Sequence, residues 1–231
     1  MVSTSCLLQY AKEIRNEQDI KLTDDEKKVC ILFVNYNSGG FLGQPVINDC
    51  GEFAKNLIGF GYKCFFICNS KVSTATEILK KVLSMKDKRI VFFYSGHGTI
   101  VYDSNGDEAD GRDEAFCFSD RYFVDDEFCR LINEYLKCEK FICISDACHS
   151  GTIYDIEHVD KDKQDKITCI SSCADNQTSK QLEKNGIFTL NFWRCYNKST
   201  KRLDLSKINN SLDWFNQTVI MYPKNNKFID F

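Results

Sequence analysis

Short apolar runs alternate along the chain with segments whose hydrophobic residues recur every three to four positions. The runs at 29–35, 63–67, 88–95, 140–145 and 166–172 are strand-sized and rich in β-branched and aromatic residues. Between them, 49–60 sets Phe53, Leu57 and Phe60 on one helical face. The stretch 73–85 does the same with Ile78, Val82 and Met85, with Ser73 or Thr74 as its candidate N-cap. A third helix, 125–136, turns Phe128, Leu131, Ile132 and Tyr135 inward behind Asp125 or Asp126 as cap. Further helices are expected near 188–196 and 205–217, and a last strand near Phe228. Strands separated by helices predict an α/β fold: a mostly parallel central sheet with helices on both faces. The polar, acidic stretch 102–113 reads as a loop. The most hydrophilic stretch, 155–165 (DIEHVDKDKQD), reads as an exposed linker. The expected organisation is one domain over 1–231: a larger N-terminal portion spanning 1–158, a linker 159–166, and a smaller C-terminal portion spanning 167–231.

Composition narrows the classes. Hydrophobic residues make up 43% and charged residues 27% of the 231 positions, a globular balance. The net charge of -3, with both signs mixed, gives no electrostatic reason to bind nucleic acid. No apolar run approaches the roughly 18 residues of a membrane helix, so no membrane partner is expected. Residues 1–19 lack a basic start followed by an apolar stretch, so no signal peptide is read there and a cytoplasmic location is expected. Thirteen cysteines are an odd number, and many sit inside apolar strands. Reduced thiols acting as small hydrophobes are therefore expected rather than a disulfide framework. No CxxC pair occurs and the three histidines lack ligand spacing, which argues against zinc.

Two segments carry candidate chemistry: IVFFYSGHGT at 90–99 and FICISDACHSGT at 141–152. Each is an apolar strand ending in small and polar residues, and carboxyl ends of parallel strands open onto one crevice. His97 and Cys148 are thus delivered to the same sheet edge. If both strands stay extended, Ser95 shares a face with His97, and Asp146 with Cys148. A thiol beside an imidazole suits acyl transfer, with the imidazole as base and then acid. Backbone N–H groups of Gly98 and Cys148 are candidate oxyanion donors.

SGHG at 95–98 and DACHSG at 146–151 resemble the two catalytic signatures of the metacaspases, caspase-fold peptidases of clan CD. NDC at 48–50, RDEAFCF at 112–118, VDDE at 124–127 and SSCADNQTS at 171–179 resemble further family segments in the same order. The match runs from about 29 to 192 and is closest to a compact type I form. The resemblance implies a caspase-like three-layer sandwich and a cysteine endopeptidase acting through a covalent acyl-enzyme. It implies His97 and Cys148 as the dyad, and Asp49, Ser95 and Asp146 as the S1 pocket for an Arg or Lys side chain. Caspases proper cleave after Asp and need a basic pocket; two carboxylates suit a cation. It also implies activating calcium on Asp113, Asp125, Asp126 and Asp155, no organic cofactor, protein or peptide substrates, and a monomer. Where many relatives carry a cysteine before the Asn-Asp pair, this chain has Val46 and Ile47, which changes one pocket wall. Lys161, Lys163 and Lys166 are candidate self-cleavage positions in the linker.

Three alternatives stand beside this reading. One is a catalytically weak caspase-like interaction module. Another is a clan relative with a different specificity before the scissile bond. The third is a redox-sensing protein, which the absent resolving CxxC disfavours. His149 has no role that the sequence assigns.

Overall fold

The structure is a computed structural model that describes residues 2–37, 40–106, 108, 111–224 and 229–231. A short helix α1 (Ser5–Leu8) and strand β1 (Lys12–Glu13) precede β2 (Lys28–Asn35), α2 (Gln44–Ile58), β3 (Lys63–Cys68), α3 (Val72–Leu83) and β4 (Arg89–Gly96). Then follow β5 (Gly98–Tyr102), β6 (Arg112–Cys117), β7 (Tyr122–Val124), α4 (Asp125–Tyr135) and β8 (Lys140–Asp146). The last third holds α5 (Lys161–Gln164), β9 (Ile167–Ser171), α6 (Ile187–Cys195), β10 (Tyr196–Asn197), β11 (Arg202–Leu203), α7 (Leu205–Leu212) and β12 (Ile220–Tyr222).

The central sheet has seven strands in the order β1-β3-β2-β4-β8-β9-β12, all parallel except the β9–β12 pair. Strand alternation assigns its two faces. Ile31, Phe33, Phe92, Tyr94 and Cys143 pack with α3 and α4. Leu32, Val34, Phe93, Ile142 and Ile144 pack with α2, α6 and α7. The strands are buried on both sides, which is why they read as continuous apolar runs. None of the thirteen cysteines is bridged. No described helix is long and apolar enough to cross a membrane.

The expected architecture is found, with local corrections. The stretch 102–113 is not all loop: β5, β6 and β7 form a small antiparallel sheet. Asp113 at the end of that stretch and the adjoining Glu114 are buried in β6, so their polarity hid the start of a strand. Helix α3 is not capped by Ser73 or Thr74; its first N–H, that of Val72, donates to Asp120 Oδ1 (2.8 Å) from a distant loop. Asp125 and Asp126 are not the N-cap of α4, which is Val124; Asp125 is its first residue. Helix α2 begins at Gln44, five residues before the expected start, with Pro45 in its first turn. The linker is partly helical, through α5. Strand β12 went unforeseen, and the strand expected near Phe228 lies outside the described residues.

Phe92 lies at the centre of one core layer, its ring 5.4 Å from Phe33, 5.3 Å from Phe128 and 5.9 Å from Phe116. Phe92→Ala should lower unfolding stability by about 3–5 kcal/mol in urea titration. A loss under about 0.5 kcal/mol, as at surface positions, would contradict this packing.

Candidate active site

Parallel register aligns the strand ends. Val34 of β2 pairs with Ser95 of β4, and Ser95 pairs with Asp146 of β8. Beyond these ends lies a cleft of about 310 Å³ whose walls include Asp49, Ser95, His97, Asp146, Cys148 and Gly186. The five predicted side chains, from three separate segments, thus meet in one place. Val46, in the position noted as unusual, also forms part of its wall; Ile47 is instead core.

The thiol and the imidazole share the cleft, but the Cys148 Sγ donates to the Ser179 carbonyl (3.8 Å). Burial pushes the Cys148 thiol up, and burial pushes the His97 imidazole down. Both shifts favour the uncharged form of each group. The backbone of Gly40 covers the His97 ring: a Cβ there would lie 3.1 Å from Nε2. Gly98 abuts the loop that carries Cys148 more closely still. A Cβ on Gly98 would stand 2.0 Å from the Cys148 carbonyl oxygen, so only glycine permits the two backbones to run side by side.

His149 receives a role. It adopts a left-handed φ of 49°, its N–H donates to the Gln177 carbonyl (3.0 Å), and its Nδ1 lies 2.5 Å from the Asp175 carbonyl. A carbonyl can only accept, so Nδ1 carries the proton. Thr152 N donates to Asp175 Oδ1 (2.8 Å). Together these bonds hold the loop after Cys148 in its bent shape.

Asp49 is neither a cap nor a solvated end: it sits inside α2, buried. Its carboxylate accepts from Gly186 N (3.0 Å) and Asn185 Nδ2 (2.9 Å). Asp146 accepts from Ser179 Oγ (2.6 Å) and Thr189 Oγ1 (2.8 Å). The two carboxylates flank Gly186, where a Cβ would fall 2.3 Å from Asp146 Oδ2 and 2.9 Å from Asp49 Oδ2. Burial, and then the Asp146 charge, hold Asp49 well above the ordinary aspartate value; burial holds Asp146 above it too. Such a pair has a strong affinity for any positive charge that enters. Sequence reasoning missed Gly186, Gly40 and Ser179 as builders of the site. Ser179 closes a quoted motif, but nothing local told that its hydroxyl serves Asp146.

The acidic quartet comes from β6 (Asp113), the first turn of α4 (Asp125 and Asp126) and the end of the loop that follows Cys148 (Asp155). Asp113, Asp125 and Asp155 are buried, and Asp126 is half-buried. Asp125 accepts from Glu114 N and Asp126 N (both 2.9 Å), yet burial together with Glu114 and Asp113 pushes it up to about 8. Burial, Asp155, Asp126 and Asp125 together push the neighbouring Cys129 thiol up to about 12. Among the described residues, the tight grouping of possible metal ligands is Glu108, Asp155 and His158, which shares one member with the quartet. The quartet offers the hard oxygen donors that a divalent cation takes, but as placed its four side chains do not converge into that tight grouping; Asp155 alone belongs to it.

Of the three linker lysines, Lys161 is exposed at the start of α5. Lys163 Nζ donates to the Asn133 carbonyl (2.6 Å), and the Lys166 carbonyl accepts from Phe141 N (2.9 Å).

The caspase-domain family model matches residues 27–224. Metacaspase-3 of Arabidopsis thaliana is 41% identical over 153 residues, covering 58% of this chain and 42% of that protein. Metacaspase-1 of the same plant is 30% identical over 155 residues, covering 53% and 42%. The matched region thus spans about two-fifths of the length of these relatives. Among solved structures, a Geobacter sulfurreducens protein superposes with a TM-score of 0.64 at 21% identity, covering 85% of this chain and 92% of that one. Caspase-1 from Spodoptera frugiperda superposes with a TM-score of 0.61 at 11% identity, covering 87% and 88%. These two likenesses bear on the fold, which is caspase-like.

The acid pair predicts a pH dependence. Both groups keep protons in the folded state above 3.8 that the unfolded chain has already released. Their contribution to stability is therefore full below that value and is lost as pH rises through the raised values. Asp49→Asn removes part of this loss. Its melting temperature relative to wild type should rise from about pH 5 to about pH 8; a difference that falls with pH would contradict the raised pair.

Proposed function

The chain belongs to the caspase-domain family, and from that premise we propose that it is a cysteine endopeptidase cleaving after Arg or Lys, with Cys148 as nucleophile and His97 as base and acid. One observation carries this reading: a thiol, an imidazole and a buried acid pair line the same cleft. The named relatives are metacaspases, which supports the same class.

The chemistry follows from the groups present. A guanidinium or ammonium entering between Asp49 and Asp146 supplies the counter-charge the pair lacks, so both carboxylates ionise on binding. A substrate backbone beside Ser179 competes for the carbonyl that holds the resting thiol. The released thiol then gives its proton to the unprotonated ring nitrogen of His97, whose lowered basicity favours the neutral imidazole beforehand. The sulfur attacks the scissile carbonyl, and the oxyanion is met by the N–H groups of Gly98 and Cys148. His97 returns the proton to the leaving amine, leaving an acyl-enzyme. Water, deprotonated by His97, then attacks the thioester carbonyl; the C–S bond breaks, the carboxylic acid product leaves, and the sulfur takes the proton back from His97.

Calcium is included in the proposal. Asp113, Asp125, Asp126 and Asp155 would hold it, and it would supply the positive charge that buried oxygens of this kind call for. Asp155 lies seven positions beyond Cys148, and the intervening loop is tied to Glu114 through the Thr152 hydroxyl. The acidic cluster and the nucleophile loop are therefore mechanically joined. Self-processing is proposed at Lys161, the exposed candidate of the three. A monomer and a cytoplasmic location complete the reading.

Fluorogenic peptides with Arg, Lys, Asp or Asn before the scissile bond test the specificity. Turnover should be confined to Arg and Lys and fall at least about a thousandfold in Cys148→Ala. Preference for Asp, or activity that survives in Cys148→Ala, would overturn the reading. Calcium titration should raise the rate in wild type and leave Asp125→Asn unresponsive; a flat wild-type titration would remove calcium from the account.

A further inference from the structure

Gln217 stands between the helical turn at 213–215 and β12, outside the cleft, and is 1% exposed. A buried primary amide must satisfy both of its ends, and this one does so on residues that build the cleft. Its Nε2 donates to the Ser172 carbonyl (2.8 Å) just past β9 and to Ser179 Oγ (3.3 Å). Its Oε1 accepts from Lys180 N (3.0 Å). The amide orientation is settled by these partners, since the reverse would set a donor against the Lys180 N–H.

Ser179 is the junction. Its hydroxyl donates to Asp146 Oδ1 (2.6 Å), and its carbonyl accepts from the Cys148 thiol (3.8 Å). Between β9 and α6 the chain has no regular element, apart from the isolated bridge of Gln181 with Gly186. A segment of that kind cannot hold an oxygen in place to within a few tenths of an ångström by its own backbone ladder. The Gln217 amide fastens it from behind at two successive residues. The neighbouring Thr218 N–H adds a bond to Gln177 Oε1 (2.8 Å), which ties the same segment two residues earlier.

We propose that Gln217 is a positioning residue for substrate binding: it holds Ser179 so that the Ser179 hydroxyl aims Asp146 at the incoming cationic side chain. This rests on the peptidase reading above. It locates a determinant of S1 affinity in the C-terminal segment, remote in sequence from both catalytic signatures. Its effect falls on recognition of the side chain, because the thiol's bond to the Ser179 carbonyl is given up before the sulfur attacks, whereas the Ser179 hydroxyl keeps its bond to Asp146.

The test compares wild type, Gln217→Met, Gln217→Ala, Ser179→Ala and the double variant Gln217→Ala/Ser179→Ala. Kinetics use an Arg peptide with saturating calcium, and thermal unfolding confirms the folded fraction of each. Gln217→Met keeps the side-chain length and loses every hydrogen bond, so it serves if the alanine variant does not fold. Loss of the clamp should raise KM about tenfold with kcat within about threefold of wild type. The Gln217 and Ser179 effects should combine to less than their product, because they act through one oxygen. A KM unchanged in folded Gln217→Met, a fall confined to kcat, or fully multiplicative effects would overturn the inference alone. A wild type that turns over no Arg or Lys peptide would instead sink the peptidase reading, and this inference with it.

Discussion

Three parallel strands end in register, and the site depends on that alignment. Val34, Ser95 and Asp146 stand side by side across β2, β4 and β8. Successive side chains of a strand point to opposite faces, so a slip of one residue would turn Asp146 away from α2 and α6. The register is secured by both cores at once: Ile31, Phe92 and Cys143 on one face, Leu32, Phe93 and Ile144 on the other. Apolar packing along the strands thus determines where two acids, a thiol and an imidazole emerge.

Against that apolar order stands a local electrostatic tension. Asp49 and Asp146 are buried together, and each is raised by burial. The fold tolerates them because each carboxylate is given donors: Gly186 N and Asn185 for one, Ser179 and Thr189 for the other. Those donors satisfy hydrogen bonding without supplying charge. That deficit of positive charge is the physical basis of the proposed preference for Arg or Lys over Asp. A second group of acids, around Asp125, is likewise raised by burial and by its acidic neighbours Glu114 and Asp113.

Much of this was legible from sequence for specific reasons. Strands buried on both faces leave uninterrupted apolar runs, so β2, β4 and β8 were readable to within a residue or two. Their polar ends, SGHG and DACHSG, named the chemistry and the sheet edge together. Strand β6 was unreadable because Asp113 and Glu114 are buried strand residues whose polarity resembles a loop. The cap of α3 was unreadable because the group that binds its first N–H comes from Asp120 in a distant loop. Gln217 and Gly186 carry no local signature at all. Their roles in the site arise only when the C-terminal segment folds back onto the ends of β8 and β9.

The most direct measurement is a crystal structure of the protein after reaction with a peptidyl-arginine chloromethyl ketone. The account predicts a covalent bond from the Cys148 sulfur to the inhibitor methylene, with the arginine guanidinium seated between the Asp49 and Asp146 carboxylates. A guanidinium left in solvent, or alkylation at a different cysteine with Cys148 unmodified, would contradict it.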